Sequence, residues 1–268
     1  MYEEPYKWVE AVGNRRQYLD DQFKQGSPVV ALAYDAGILL VSVSKGTPKL
    51  YEIYDRLALG GMGHPADLEK LRFSLLEMAH VEGFNRSPSD VTGSRMVKYG
   101  IAPVIKQAFE EVFKAPFIVK LLLAELGHKA GKDSFLVVNY DGTFEEGSSC
   151  AVLAALKTVE HEMVAYIRGK VSAVLSLEQA FGLALRTWAL GDRLQRKTVE
   201  EPSGGSSSAQ PEDTEAAPLY AYLRDRVAEK TVECALLDRN LSGSSKYRAL
   251  ASDEIDRLLP KDLKTSLS

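Results

Sequence analysis

The chain has few of the residues that would tie it to an oxidising compartment, a membrane, a metal or a nucleic acid. Cys150 and Cys234 are its only cysteines. They have neither CxxC nor metal-ligand spacing, and both sit in apolar, strand-like runs, where a thiol behaves as a small hydrophobe. Buried, reduced thiols are expected. No run approaches the roughly 18 apolar residues of a transmembrane helix, and the opening MYEEPYKWVE is too acidic for a secretory signal. The expected location is cytoplasmic. The formal net charge is -4, with no segment rich in Lys and Arg. That argues against a nucleic-acid partner, because phosphate binding needs clustered positive charge.

Motifs with their own chemistry are scarce too. The four histidines, His64, His80, His128 and His161, share no spacing. HEMVA at 161–165 opens like a zinc-protease helix, but Ala165 stands where the second histidine is needed, which leaves too few ligands. The glycine cluster LGGMGHP at 59–65 lacks the Lys-Ser ending of a phosphate loop. Close strand-to-helix packing explains it better. No metal and no cofactor is expected.

What is present is an ordinary globular composition, 45% hydrophobic and 26% charged over 268 residues, enough for one large domain or two small ones. Residues 5–25 place Trp8, Val12, Tyr18 (or Leu19) and Phe23 at roughly helical spacing before Gly26, which predicts an amphipathic helix. Apolar runs at 29–34 and 38–43 flank the turn Asp35-Ala36-Gly37 and predict a β-hairpin. Two further short strands are expected in 49–61, turning at Tyr54-Asp55-Arg56. Helices are expected over 65–83, with Pro65 in the first turn, and over about 94–113, with Asp90 or Thr92 as N-cap. Strands follow at 117–126, 134–140 and 150–155, with a turn at Asp141-Gly142, then helices at about 157–167 and 177–194. Residues 198–217, TVEEPSGGSSSAQPEDTEAA, are a low-complexity tract expected to be a mobile loop. A helix at 218–228, a strand at 231–238, its hairpin partner at 246–250 and a closing helix at 252–259 complete the chain. Strands, two helices, strands, two helices, strands is an order that suits two stacked sheets with helix layers outside.

Specific residues then point to a family. The run SPVVALAYDAGILLVSVSKGTPKLYEIYDRLALGGMG is similar to the start of an α-type subunit of bacterial 20S proteasomes. So are DVTGSRMVKYG at 90–100, KAPFIVKLLLAELGH, NYDGTF, and VECALLDRN followed by KYRAL. The resemblance covers residues 8–259 apart from the tract at 198–217. It implies an α+β fold, the four-layer αββα sandwich of mainly antiparallel sheets of the N-terminal-nucleophile hydrolases. It also implies an N-terminal segment, residues 1–26, before a single domain at 27–268.

Active β-type members of that family begin their first strand with a Thr freed by cleavage after Gly, whose amine is the general base. Gly26-Ser27 is the matching position. Pro28 restricts the backbone of Ser27, Val43 replaces the Asp of active members, and Ala154-Ala155-Leu156 replaces their Gly-Ser-Gly, unless Ser148-Ser149 is the matching register. The resemblance therefore implies a non-catalytic subunit with no catalytic residues. GDRL at 191–194 lacks the Ser-Gly of active members, and Asp192 reads as a solvated helix-end residue.

Lys49 matches both the catalytic lysine of β-type members and the α-type lysine that receives the C-terminal carboxylate of activators. Gly63 matches a pocket glycine beside it, with His64 replacing an apolar neighbour. Met1, Tyr2, Glu3, Glu4, Pro5 and Tyr6 would form the gating tail. The implied partners are further copies of the chain in a heptameric ring, a β-type subunit, a ring-shaped ATPase or other activator docking by its C-terminal tails, and unfolded protein substrates. Two other readings remain: an active self-compartmentalised protease with Ser27 as nucleophile, and a scaffold ring without a protease partner.

Overall fold

The computed structural model describes residues 5–111, 113–200, 216–227 and 230–260. Two five-stranded antiparallel sheets stack face to face with helices on both outer sides. The first sheet has the order β10-β9-β2-β1-β8 and the second β3-β4-β5-β6-β7. Its strands are β1 (Val29–Tyr34), β2 (Gly37–Ser44), β8 (Cys150–Leu153), β9 (Thr231–Asp238) and β10 (Tyr247–Ala249). The second sheet contains β3 (Leu50–Tyr54), β4 (Leu57–Gly63), β5 (Val119–Glu125), β6 (Ser134–Val138) and β7 (Phe144–Gly147).

Three apolar cores separate the four layers. Val29, Ala31, Leu40, Leu122, Phe135 and Leu153 fill the space between the sheets. Val30, Leu32, Leu39 and Val41 face the other way, onto α5 (Lys157–Lys170), α6 (Leu177–Glu200), α7 (Ala216–Val227) and α8 (Ser252–Leu258), where Trp188 is fully buried. Leu57, Leu59, Leu121 and Leu123 pack under α2 (Pro65–Asn85) and α4 (Ala102–Glu110). Strands covered on both faces need apolar residues at every position, so VVALAY carries no polar alternation.

The helix expected at 94–113 has a more particular form. Thr92 Oγ1 accepts from the Arg95 amide and caps α3 (Gly93–Arg95). A π-helical stretch, Met96–Ile101, then leads into α4. Pro103 has no N–H to offer an earlier carbonyl, and widening before such a residue is a common solution. The helix ends at Glu110 rather than Phe113. β7 was not expected from the sequence. Residues 198–200 belong to α6 and 216–217 to α7, so only part of the expected loop lies between helices; residues 201–215 fall outside the described set.

Helix α1 (Pro5–Phe23) lies over the open end of the sandwich. Val12, Leu19 and Phe23 pack into the core between the sheets, whereas Trp8 and Tyr18 stay exposed, so Leu19 rather than Tyr18 is the core member of the helical stripe. Pro5 and Tyr6 belong to this helix, and Met1 to Glu4 lie outside the described residues. Among the described residues no helix is long and apolar enough to cross a membrane. Cys150 and Cys234 are free and buried. Two strands of the sheet stand between them, a separation of about 14 Å that no disulfide can span.

Candidate functional site

Ser27 enters the first sheet between Gly26, whose amide donates to the Phe23 carbonyl at 2.7 Å, and β1. Its hydroxyl is committed twice. Ser27 Oγ donates to the Val43 carbonyl and accepts from Trp188 Nε1 at 3.0 Å. A peptide carbonyl cannot take the proton of an attacking hydroxyl, which is the task of a general base. Val43 is fully buried, so the position of the expected Asp is filled with hydrocarbon. The peptide before Ser27 is held as well: Gln195 Nε2 donates to the Gly26 carbonyl at 2.9 Å, while Gln195 Oε1 accepts from the Ala155 amide at 2.6 Å.

Ala155 thus stands beside Gly26, as the pairing of Val29 with Leu153 requires. Ser149 lies at the far end of β1, its carbonyl accepting from the Ala33 amide. The Ser148-Ser149 register is excluded, and alanines occupy the strand end that faces Ser27.

Lys49 precedes β3. Its backbone carbonyl accepts from the Gly61 amide at 2.9 Å, and its Nζ lies 3.5 Å from the Ser27 carbonyl oxygen. Glu233, on β9, accepts from the Lys49 amide at 2.8 Å through Oε2 and from Ser44 Oγ at 2.7 Å through Oε1. Its carboxylate therefore fixes the backbone around Lys49, and no carboxylate among the described residues reaches the ammonium itself. Burial lowers the Lys49 pKa to about 8; the charge on Lys230 adds to the fall and that of Glu233 opposes it. An ammonium short of partners and only half-buried suits a ligand carboxylate.

Gly63 lies two residues beyond Gly61 on the neighbouring strand. A Cβ there would stand 2.0 Å from the Ile118 carbonyl oxygen, and its φ of +135° lies in the region that favours glycine. Its own fold requires the glycine. His64 is exposed, accepting from the Ala66 amide at 3.3 Å as N-cap of α2. It faces a groove of about 550 Å³ with Asp67, Lys70 and Phe117, which Lys49 does not line. Within one chain, Lys49 and Gly63 share a sheet end and His64 points elsewhere. The glycines at 60 and 61 do serve packing: a Cβ on Gly61 would meet Leu68 of α2 at 2.2 Å, and one on Gly60 would meet Val29 at 2.9 Å.

Asp192 is not the solvated helix-end residue expected from GDRL. It is buried in the middle of α6 and accepts from Tyr222 Oη at 2.7 Å, Arg196 Nε at 3.0 Å and Arg226 Nε at 3.2 Å. Burial opposes its ionisation, but the hydrogen bonds from Tyr222 and Arg196 and the nearby positive charges outweigh it and hold the carboxyl below its ordinary range. Tyr222 and Arg226 come from α7, so this carboxylate fastens α7 to α6.

A second buried polar group was also unforeseen. Lys120, on β5, donates to the Ala154 and Ala155 carbonyls at 2.8 and 3.1 Å and pairs with Glu160 Oε1 at 3.3 Å. Glu160 Oε1 in turn accepts from the Ala154 amide at 3.2 Å. A lysine inside the apolar strand FIVKLLLAEL and a glutamate inside TVECALLD were the available signals for Lys120 and Glu233, because a charge in a doubly covered strand must have a buried partner. Nothing in the sequence marked Gln195 or Trp188.

Two antiparallel sheets between two helical layers, with a short helix across the sheet end where the first strand begins, define a proteasome-type subunit. No family model matches the chain. It is 30% identical over 251 residues to the proteasome subunit alpha of Thermomonospora curvata, covering 92% of each. It is 28% identical over 254 residues to that of Nocardioides sp., covering 92% of this chain and 84% of the relative. It is also 28% identical over 215 residues to that of Actinosynnema mirum, covering 80% and 76%. The chain belongs to the family of proteasome alpha subunits.

Proposed function

We propose that this chain is the non-catalytic, ring-forming subunit of a 20S proteasome core particle. One observation carries the non-catalytic part: the candidate nucleophile, Ser27, has its hydroxyl committed to a carbonyl acceptor and an indole donor. Seven copies form an outer ring by heterologous contacts, two such rings cap two rings of a separate β-type subunit, and residues 1–26, packed by α1 on the single domain at 27–268, are the segment that lines the entrance. Met1 to Tyr6 restrict that entrance. Insertion of an activator's C-terminal carboxylate beside Lys49 favours the open state and admits unfolded chains. Large exposed apolar side chains favour an assembly over a free monomer: Trp8 and Val9 on α1, Phe73 and Phe84 on α2, and Tyr99, because contiguous exposed apolar surface generally marks an interface.

Intact mass of the purified chain, alone and mixed with a candidate β-type subunit, with peptide hydrolysis followed in both samples, tests the reading. The expected outcome is a chain that retains its residues before Ser27, hydrolyses nothing alone and assembles with the partner. A chain beginning at Ser27 and hydrolysing peptides unaided would overturn it. A chain that forms rings but never joins a β-type subunit would instead favour the scaffold.

A further inference from the structure

The end of the first sheet beside Lys49 carries more positive charge than a single carboxylate needs. Ser44 pairs with Thr231 across β2 and β9, so Lys45 and Lys230, the next residue on each strand, stand together at the same edge. Lys230 is half-buried with its ammonium 5.4 Å from the Trp188 ring centre, and no carboxylate among the described residues reaches it. Lys45 is exposed, and no carboxylate among the described residues pairs with it. The acids of this corner are already engaged. Glu233 gives both oxygens to Ser44 and the Lys49 amide, and Asp192 Oδ2 is shared by Tyr222, Arg196 and Arg226.

Lys230 is coupled to both of the other ammonium groups. Burial lowers the Lys230 pKa, and the charges of Arg226, Arg196 and Lys45 lower it further against the pull of Asp192. Lys230 acts in the same direction on Lys49. Like charges brought this close destabilise the empty site, and an anion placed among them relieves the repulsion.

We propose that the site selects a peptide tail bearing two negative groups: the terminal carboxylate on Lys49 and an acidic side chain, from one of the last few residues, between Lys230 and Lys45. The proposal rests on the docking reading above and adds a preference to it. Indole packing under Lys230 holds one of its two side-chain anchors in place, so the second anion meets a positioned charge rather than a free-swinging surface lysine.

The test uses short fluorescein-labelled Gly-Ser peptides with a free C-terminus, carrying a single Asp or its isostere Asn at each of the last three positions in turn. Their binding to the assembled full-length protein is followed by anisotropy at low and at physiological salt. At the best position the Asp peptide should bind about fivefold more tightly than its Asn twin, the scale of a positioned, partly screened ion pair. In a chain carrying Lys45→Gln and Lys230→Gln that ratio should fall to about one while the Asn peptide keeps its affinity, and Lys230→Arg should preserve the ratio.

Equal binding of both twins at every position, or a preference that survives the double substitution, overturns the proposal. Binding that is indifferent to C-terminal amidation and to Lys49→Gln overturns the docking reading instead. A failure of every peptide to bind overturns both. Assembly of the double variant, checked by native mass, separates lost affinity from lost structure.

Discussion

Trp188 Nε1 donates to Ser27 Oγ at 3.0 Å across 161 positions of sequence. The bond joins the start of β1 to a fully buried indole on α6, and it occupies one of the two lone pairs of the hydroxyl oxygen. Ser27→Ala leaves the indole N–H without its acceptor and the Val43 carbonyl without its donor. The expected cost is about 1 to 3 kcal/mol of stability, the usual penalty for orphaned buried polar groups. Urea unfolding should show this loss while peptide hydrolysis by the mixed α and β particle stays unchanged. Loss of hydrolysis with intact assembly would make Ser27 a nucleophile after all.

Lys49 sets a pH dependence with two opposite signs. Its folded pKa of about 8 lies below the ordinary 10.5, chiefly through burial, so between these values the unfolded chain binds more protons than the folded one. Stability contributed through Lys49 therefore rises with pH across that window and is lowest below about 8. Lys49→Met should flatten that part of the stability profile. Carboxylate binding runs the other way: it needs the ammonium and should weaken as pH climbs past about 8, whereas Lys49→Arg, charged throughout, should bind equally at both ends. Tail-peptide affinity measured on both proteins across the window checks the difference.

The strands, turns and most helices were legible because covered strands demand unbroken apolar runs and because Gly and Asp punctuate their turns. β7 was not, since three of its four residues, Phe144, Glu145 and Glu146, are exposed and show no inward alternation. The widened helix at 96–101 depends on Pro103, which by itself reads only as a first-turn residue. Of the site, Lys49, Ser27 and Val43 were visible as positions in a pattern. The burial of Asp192 was not, because its partners Tyr222 and Arg226 lie 30 and 34 residues away on a helix that the sequence alone cannot place against α6.

Gly63 illustrates why a matched position need not report its matched role. With φ at +135° and the Ile118 carbonyl 2.0 Å from any added Cβ, Gly63→Ala should destabilise the chain by more than about 1 kcal/mol. Reduced activator response in that variant would then carry no information about docking unless stability were restored. His64→Ala is the milder probe, removing an N-cap hydrogen bond at a cost of about 0.5 to 2 kcal/mol. Thermal unfolding of the two variants should rank them in that order, and a Gly63→Ala chain as stable as the parent would refute the backbone argument.

The buried pair of Lys120 and Glu160 makes a further prediction. Both side chains are almost wholly enclosed, so removing the lysine leaves the Glu160 carboxylate with only the more exposed Lys157 ammonium, 3.6 Å from its Oε2, as counter-charge. Lys120→Met should cost about 3 to 5 kcal/mol, and adding Glu160→Leu should recover much of it, because apolar replacement of both members is often neutral. Denaturant midpoints of the single and double variants measure the recovery, and a double variant no more stable than the single one would mean that the lysine's bonds to the Ala154 and Ala155 carbonyls dominate.

Arg15 decides whether α1 stays on the domain. Its guanidinium donates to the carbonyls of Ala108, Phe109 and Glu111 at 3.1, 2.8 and 3.0 Å, and to that of Lys114 at 2.8 Å. Ala108 and Phe109 belong to the last turn of α4, where the helix ends and leaves carbonyls without a following turn, and Glu111 and Lys114 to the segment after it. One cation therefore closes the C-terminal end of α4, where positive charge is favoured, and anchors the helix that bears the proposed gate. Most other anchors, the apolar Leu19 and Phe23 and the Asp20 carboxylate that accepts from Tyr140 Oη at 2.9 Å, sit nearer the C-terminal end of α1, with only Val12 packed on the other side of Arg15, so loss of Arg15 should free the half towards Pro5 first. Arg15→Ala should raise amide exchange in residues 5–15 and at the end of α4 with little change in β1 or β2. Arg15→Lys, a point charge without the planar fork, should restore only part of the protection. If exchange in α1 were unaltered by Arg15→Ala, the contacts of Val12, Leu19, Asp20 and Phe23 would suffice to hold the helix, and its orientation would not depend on α4.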